Sequence, residues 1–263
     1  MIIQTHDKQR NMNTIKTEIN ENGICLLTFN RPDKYNSFNK ELLDDLHKTL
    51  NTLKNDKSVR IIILTGAGDK SFSSGADLKA LQEFSSIEEA REFALLLEET
   101  SEQLFNFPAP IISAINGYAL GGGLGYAAAT DYRIMVDNAK VGFPAIKLGA
   151  ILPVTCTLYL KELIGMNYSK DLLLTGRLIN ATEAKEIGLV HQLVQPADLL
   201  KEAYKLAENI IEGSIEAVFY TKKTLNSLLA ENIESRKLYS ANNFAYLSQT
   251  KEWKKRISSF GKK

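Results

Sequence analysis

The sequence predicts an α/β architecture with a helical C-terminal part, and three observations carry that expectation. Short apolar, β-branched runs alternate with helical patterns in the first half of the chain. Two of those runs end in glycine-containing loops, as strand-to-helix connections in α/β folds do. From about Thr155 onward the pattern is almost wholly helical. The 263 residues, 44% of them hydrophobic, suffice for one large domain or one domain with a small appendage.

Residues 1–14 predict a disordered N-terminal extension. Met1 to Asn13 is polar and lacks the apolar run of a secretory signal, and Met12 offers an alternative start. Ile15 to Ile19 and Ile24 to Phe29 predict strands, separated by a turn at Asn20 to Gly23. Leu42, Leu43, Leu46, Leu50 and Leu53 recur at helical spacing over residues 40–54. Val59 to Thr65 predicts a buried strand, followed by the loop Phe72-Ser73-Ser74-Gly75-Ala76-Asp77. Ser86 and Glu89 form a capping box opening a helix that Pro108 and Pro110 stop. Ile111 to Ile115 is a further buried strand, running into Asn116-Gly117 and the glycines at 121–123, then into small residues suited to a buried helix. Tyr132 to Val136 predicts another core strand. Helices are expected at about 198–211, 214–230 and 235–257, so the chain divides into a core over 15–197 and a helical region over 198–263.

Charge and composition exclude several functions. Lys+Arg is 32 against Asp+Glu 31, a balance that suggests neither a nucleic-acid groove nor a membrane-binding face. The basic tail, Lys251, Lys254, Lys255, Arg256, Lys262 and Lys263, reads as a solvated helix end. Two cysteines, Cys25 and Cys156, make no disulfide framework and fit a reducing, cytoplasmic setting. No apolar run reaches the length of a transmembrane helix. Gly123-Leu124-Gly125-Tyr126-Ala127-Ala128 matches a loosened dinucleotide fingerprint, but the acidic residue expected about 20 positions on is missing. Gly68-Asp69-Lys70-Ser71 falls short of a phosphate-binding loop. His6, His47 and His191 accompany no nucleophile elbow, and no Cys/His cluster has metal-ligand spacing.

The two glycine loops remain. Backbone N–H groups at such loops are free to face an anion, and a helix that starts there adds partial positive charge. Two N–H groups from different loops, converging on one oxygen, make an oxyanion hole. Tight turns alone would also explain the glycines, but two such loops about 45 residues apart favour a site.

At these residues the chain resembles the crotonase (enoyl-CoA hydratase/isomerase) superfamily. Asn30-Arg31-Pro32-Asp33-Lys34-Tyr35-Asn36 is similar to its R-P-x-x-x-N motif, and Phe72 to Leu78 to its F-x-x-G-A-D-(L/I) loop. Asn116-Gly117 through Gly123 to Asp131 is similar to N-G-x-A-x-G-G-G…D. Phe143-Pro144-Ala145 to Gly149 is similar to F-P-E-x-x-L-G, and Thr175-Gly176-Arg177 through Gly188-Leu189-Val190 to a later segment. The resemblance implies a ββα spiral with a C-terminal helical trimerisation region, a homotrimer or homohexamer, and an acyl-CoA thioester as partner. It implies no separate cofactor and no metal, since coenzyme A enters with the substrate. The oxyanion N–H groups would be those of Ala76 and Gly122. Lys34, Tyr35, Ala76, Asp77, Leu78 and Gly121 would hold coenzyme A and the thioester. Lys222 or Lys223 would meet a CoA phosphate of a neighbouring subunit.

The departures bear on chemistry. Where family hydratases carry two glutamates, this chain has Gly125 and Ala145, and where some isomerases carry an acid it has Pro153. Hydration needs a base for water and an acid for the α-carbon, and one such group is worth about 10²- to 10⁴-fold in rate. Three readings follow. One is a thioester decarboxylase that uses the oxyanion hole alone, on CoA or a carrier protein, with Tyr118, Tyr126 or Tyr159 as candidate proton donor. Another is a hydratase or isomerase with a relocated acid, or with an anion in the space beside Gly125. The last is a non-catalytic acyl-CoA binder.

Overall fold

The structure is a computed structural model and describes residues 8–229 and 233–259. Eleven strands and ten helices follow in chain order among these residues. They are β1 (Lys8–Asn11), β2 (Ile15–Ile19), β3 (Ile24–Phe29), α1 (Lys40–Lys54), β4 (Ile61–Gly66), β5 (Ser71–Ser73), α2 (Leu78–Gln82) and α3 (Ile87–Phe105). Then come β6 (Ile111–Ile115), β7 (Tyr118–Leu120), α4 (Gly122–Ala128), β8 (Tyr132–Val136), β9 (Lys140–Gly142) and α5 (Val154–Thr175). The chain ends with β10 (Leu178–Asn180), α6 (Ala181–Glu186), β11 (Gln192–Val194), α7 (Leu199–Ile211), α8 (Ile215–Ser227), α9 (Ile233–Ser248) and α10 (Lys251–Ser259).

The strands form two sheets. The larger runs β1-β2-β3-β4-β6-β8-β11, antiparallel over its first three strands and parallel from β3 to β11. The smaller runs β10-β9-β7-β5, with only β10 antiparallel. Three successive turns of chain place one strand in each sheet before a helix: β4, β5 and α2, then β6, β7 and α4, then β8, β9 and α5. This is the expected ββα spiral. The central strands β4 and β6 are buried at every residue, as parallel strands covered on both faces are.

Local signals explain the helices. The Asn39 side chain accepts the Leu42 N–H at 3.0 Å, and the leucine stripe of α1 lies buried. Ser86 Oγ accepts the Glu89 N–H, while Glu89 reaches back to the Ser85 N–H. Helix α5 breaks at Gly165, whose φ of 71° no helix interior allows.

Three expectations need correction. The extension over 1–14 is not wholly disordered, because Lys8–Asn11 pairs with β2 as an edge strand; residues 1–7 lie outside the described residues, as do Lys262 and Lys263 of the basic tail. The stretch after Thr155 is not wholly helical, because β10 and β11 close the two sheets. Strands of three residues are too short to show a period. The helix expected over 235–257 is two, parted at Gln249 and Thr250.

The boundary at 197/198 falls just before α7, which packs on β4, β6 and β8 of the large sheet. Helix α9 packs along α3, and α10 reaches α2 and the 3₁₀ turn at Pro144–Leu148. The basic residues of α10 alternate with buried Trp253 and Ile257, which matches a solvated helix end on an anchored face. Among the described residues no helix is long and apolar enough to cross a membrane.

Helix α8 is tied to the sheet by Lys222. Its Nζ donates to Asp131 Oδ2 at 2.7 Å and to the Ala109 carbonyl at 3.1 Å, and the same Asp131 oxygen accepts the Ile111 N–H at 2.7 Å. Burial pulls the lysine down from its ordinary value while the aspartate pushes it back up. Asp131→Asn leaves an ammonium that is 8% exposed without its counter-charge. Denaturant unfolding of that variant is expected to show a loss of about 2–4 kcal/mol. Adding Lys222→Met should recover part of the loss.

Candidate active site

Strands β5 and β7 of the small sheet deliver their loops to the same place. After β5 the chain turns at Gly75, φ +82°, into Ala76 and α2. After β7 it turns at Gly121, φ +53° and ψ −124°, into α4, whose first residue is Gly122. The two loops touch through their backbones. A Cβ built on Gly75 would lie 2.6 Å from the Leu120 carbonyl oxygen and 2.9 Å from Gly122 N. Both the positive φ and this approach restrict position 75 to glycine. A Cβ on Gly121 would meet nothing within 4 Å, so this turn opens onto free space.

Neither the Ala76 nor the Gly122 N–H is spent on an intramolecular hydrogen bond among the described residues. Gly122 N belongs to the first turn of α4, whose donors have no partner within the helix. Ala76 sits in an isolated parallel bridge with Phe38 whose two bonds are Phe38 N–H to the Gly75 carbonyl, 2.7 Å, and Asp77 N–H to the Phe38 carbonyl, 2.9 Å. That pattern leaves the amide between them free. Two unspent donors thus stand on two loops in backbone contact.

Polar side chains clamp this junction from behind. The Asn36 amide donates to the Ala67 and Ser71 carbonyls at 3.0 and 2.7 Å, and its carbonyl accepts the Arg31 N–H. Ser73 Oγ donates to the Asn36 carbonyl and accepts the Gly75 N–H. Asn116 donates to the Gly66 and Gly68 carbonyls, both at 2.8 Å. Sequence reading assigned these residues no role. Asn36 lies inside the quoted R-P-x-x-x-N stretch, but only the fold shows which carbonyls it joins.

Of the residues predicted to bind coenzyme A, Lys34 and Tyr35 lie exposed at the end of the 3₁₀ turn Pro32–Lys34, with Tyr35 left-handed at φ 51°. Leu78 is the first residue of α2 and is half-buried. The Asp77 carboxylate is engaged inside the protein. It pairs with Arg31 at 3.0 Å, accepts Ser37 Oγ at 3.2 Å and caps α2 through the Lys79 N–H. Burial alone would raise its pKa, but Arg31, the Lys79 amide and Ser37 together hold it below the usual carboxylate range. Lys222 is not available for a phosphate, since it is buried against Asp131, whereas Lys223 is exposed.

The positions without family acids behave differently from an open cleft. Gly125 follows Gly122 by three residues on the same face of α4. A Cβ built on it would lie 2.5 Å from Cys156 Sγ and 2.7 Å from Cys156 Cβ, so the space beside Gly125 holds a thiol and leaves no room for an anion. Ala145 is half-buried in the 3₁₀ turn, and Pro153 is the buried N-cap of α5. Glu98 of α3 reaches that same helix start. Its carboxylate accepts the Val154 and Thr155 N–H groups at 2.7 and 3.0 Å and Thr155 Oγ1 at 2.7 Å. Burial raises Glu98 above the ordinary carboxylate value, against the pull of these bonds.

The candidate tyrosine donors do not gather at the glycine junction. Tyr126 is fully buried, stacks on Phe38 with centroids 4.7 Å apart, and donates to the Leu97 carbonyl. Burial drives its pKa far upward. Tyr159 stacks on Phe105 and lines a separate cavity of about 730 Å³ bounded by Arg133, His191 and α8. Tyr118 is exposed at the start of β7.

Comparison with known proteins finds relatives over nearly the whole chain. The sequence model of the enoyl-CoA hydratase/isomerase family matches residues 19–263. A crotonyl-CoA hydratase of Syntrophomonas wolfei is 36% identical over 240 residues, 91% of this chain and 92% of that protein. A short-chain-enoyl-CoA hydratase of Clostridium acetobutylicum is 34% identical over the same shares. Among solved structures, an enoyl-CoA hydratase/isomerase from Xanthobacter autotrophicus superposes with a TM-score of 0.87 at 26% identity, over 95% of this chain and 93% of that one. An enoyl-CoA hydratase from Bacillus anthracis superposes at 0.80 with 32% identity, over 95% and 96%.

The Arg31–Asp77 pair gives the clamp a pH dependence. A carboxyl held low in the fold stabilises it above the ordinary carboxylate value near pH 4 and stops doing so as acid titrates the folded group. Thermal melts of parent and Asp77→Asn should therefore differ by several degrees at pH 7 and converge as pH falls below about 4.

Proposed function

The chain belongs to the enoyl-CoA hydratase/isomerase (crotonase) family, and from that premise we propose that it binds an acyl-CoA thioester and stabilises the enolate of that thioester between the Ala76 and Gly122 N–H groups. The observation that carries this reading is the contact of the two glycine loops with both amides unspent. As negative charge grows on the thioester oxygen, two fixed donors and the start of α4 strengthen their hold on it, which is what lowers a barrier. The loops around Lys34, Tyr35, Leu78 and Gly121 would take the nucleotide and pantetheine arm.

The names of the relatives favour an enoyl thioester. Gly125 and Ala145 argue against hydration by a glutamate pair, because neither can move a proton. A second reading is decarboxylation of a malonyl-type thioester, favoured by the thiol that fills the space beside Gly125. There carbon dioxide leaves, the enolate forms in the hole, and a proton from water or a weak acid completes the reaction. The unpaired, buried Cys25 and Cys156 suit a reducing cytoplasm. Exposed Tyr220 and Leu225 on α8 and Leu228 just after it, with Tyr239 and Tyr246 on α9, support assembly as a homotrimer or a dimer of trimers.

The purified protein should bind a saturated acyl-CoA in calorimetry. It should hydrate crotonyl-CoA at least about 100-fold more slowly than a two-glutamate hydratase assayed beside it, and methylmalonyl-CoA tests the decarboxylase reading. Fast hydration would contradict the role given to the empty acid positions. Binding without either reaction would favour a non-catalytic acyl-CoA binder.

A further inference from the structure

Helix α4 presents Gly122 and Gly125 on one face, a turn apart. A side chain on a helix leans back toward the N-terminus, so any side chain at 125 would lean toward the Gly122 amide and the thioester held there. That volume is occupied from the opposite helix. Cys156, in the first turn of α5, puts Sγ and Cβ within 2.5 and 2.7 Å of where a Cβ on Gly125 would stand.

The intrusion is held firmly. Cys156 Sγ and Ser101 Oγ share a hydrogen bond of 3.4 Å, and Glu98 grips the first turn of α5 through Val154 and Thr155. Cys156, Ser101, Thr155 and Glu98 are all at most 1% exposed. Such packing cannot absorb further atoms without shifting backbone.

We infer that Cys156 is a specificity-determining residue, which fills the place of a water-activating carboxylate and leaves the enolate with a dry, uncharged wall. The absence of a side chain at 125 and the presence of one at 156 form a single exchange of volume between α4 and α5. Burial keeps the thiol protonated, its pKa pushed up to about 12, so it supplies no base for water. A thioester whose reaction needs an activated water is disfavoured here. One whose reaction needs only charge stabilisation on oxygen is accepted. The steric part stands on the fold alone, and the catalytic part rests on the enolate reading proposed above.

The test is a mutant cycle on the full chain, read by thermal melting and by crotonyl-CoA hydration. Gly125→Ala should lower the melting midpoint by about 5 °C or more in the parent, and by much less in a Cys156→Gly background. Equal losses in both backgrounds would overturn the inference. On the catalytic arm, Gly125→Glu with Ala145→Glu and Cys156→Gly should hydrate crotonyl-CoA about 100-fold faster than the same two glutamates with Cys156 retained. Equal rates would overturn the specificity role. Fast hydration by the parent protein would overturn the specificity role while leaving the enolate reading standing, and the melting cycle, which uses no substrate, would still decide whether the exchange of volume exists.

Discussion

Everything at the candidate site depends on one close backbone approach, Gly75 against Leu120 and Gly122, into which no Cβ fits. The approach is what sets two amides from sequence-distant loops beside each other. It exists because β5 and β7 are neighbours in the small sheet, while β4 and β6, which precede them, are neighbours in the large one. These two turns of the spiral therefore hand their loops to the same edge. The junction is held by Asn36, Ser73 and Asn116, whose side chains donate to backbone carbonyls around it. A buried polar network of this kind rigidifies only if its members are satisfied. Here the satisfied members surround the two amides that are not.

The same site is poor in groups that could move a proton. Asp77 is held ionised by Arg31 and caps α2. Glu98 is buried and spends its carboxylate on the start of α5. Tyr126 faces the Leu97 carbonyl, and Cys156 is a neutral thiol. In the proposed function the chemistry would be divided unequally: stabilisation of an anion on oxygen by the two amides, and little general acid–base capacity beside it. Fold and family alone do not fix which reaction the site performs.

Much of this was legible in the sequence, and the rest was lost for definite reasons. The long strands, the helices at 40–54 and after Ser86, and both glycine loops follow from periodicity, capping and turn chemistry. The strands β5, β7, β9, β10 and β11 each have three residues, which is too few for a period, so the second sheet was invisible. The motifs located Ala76, Gly122 and the absent acids at Gly125 and Ala145. They could not show that Asp77 is turned inward, that Lys222 is committed to Asp131, or that Cys156 meets Gly125 from 31 positions away. Each of these is a contact between distant segments, and no local pattern encodes it.

The central claim is that a thioester oxygen lies between the amides of Ala76 and Gly122. Isotope-edited infrared spectroscopy of an acyl-CoA labelled with ¹³C at the thioester carbonyl tests it most directly. Two hydrogen bonds from fixed donors polarise the carbonyl, so the account predicts a stretch shifted to lower frequency on binding than in water. A bound thioester whose carbonyl stretch matches that of the free ligand, or lies above it, would contradict the claim.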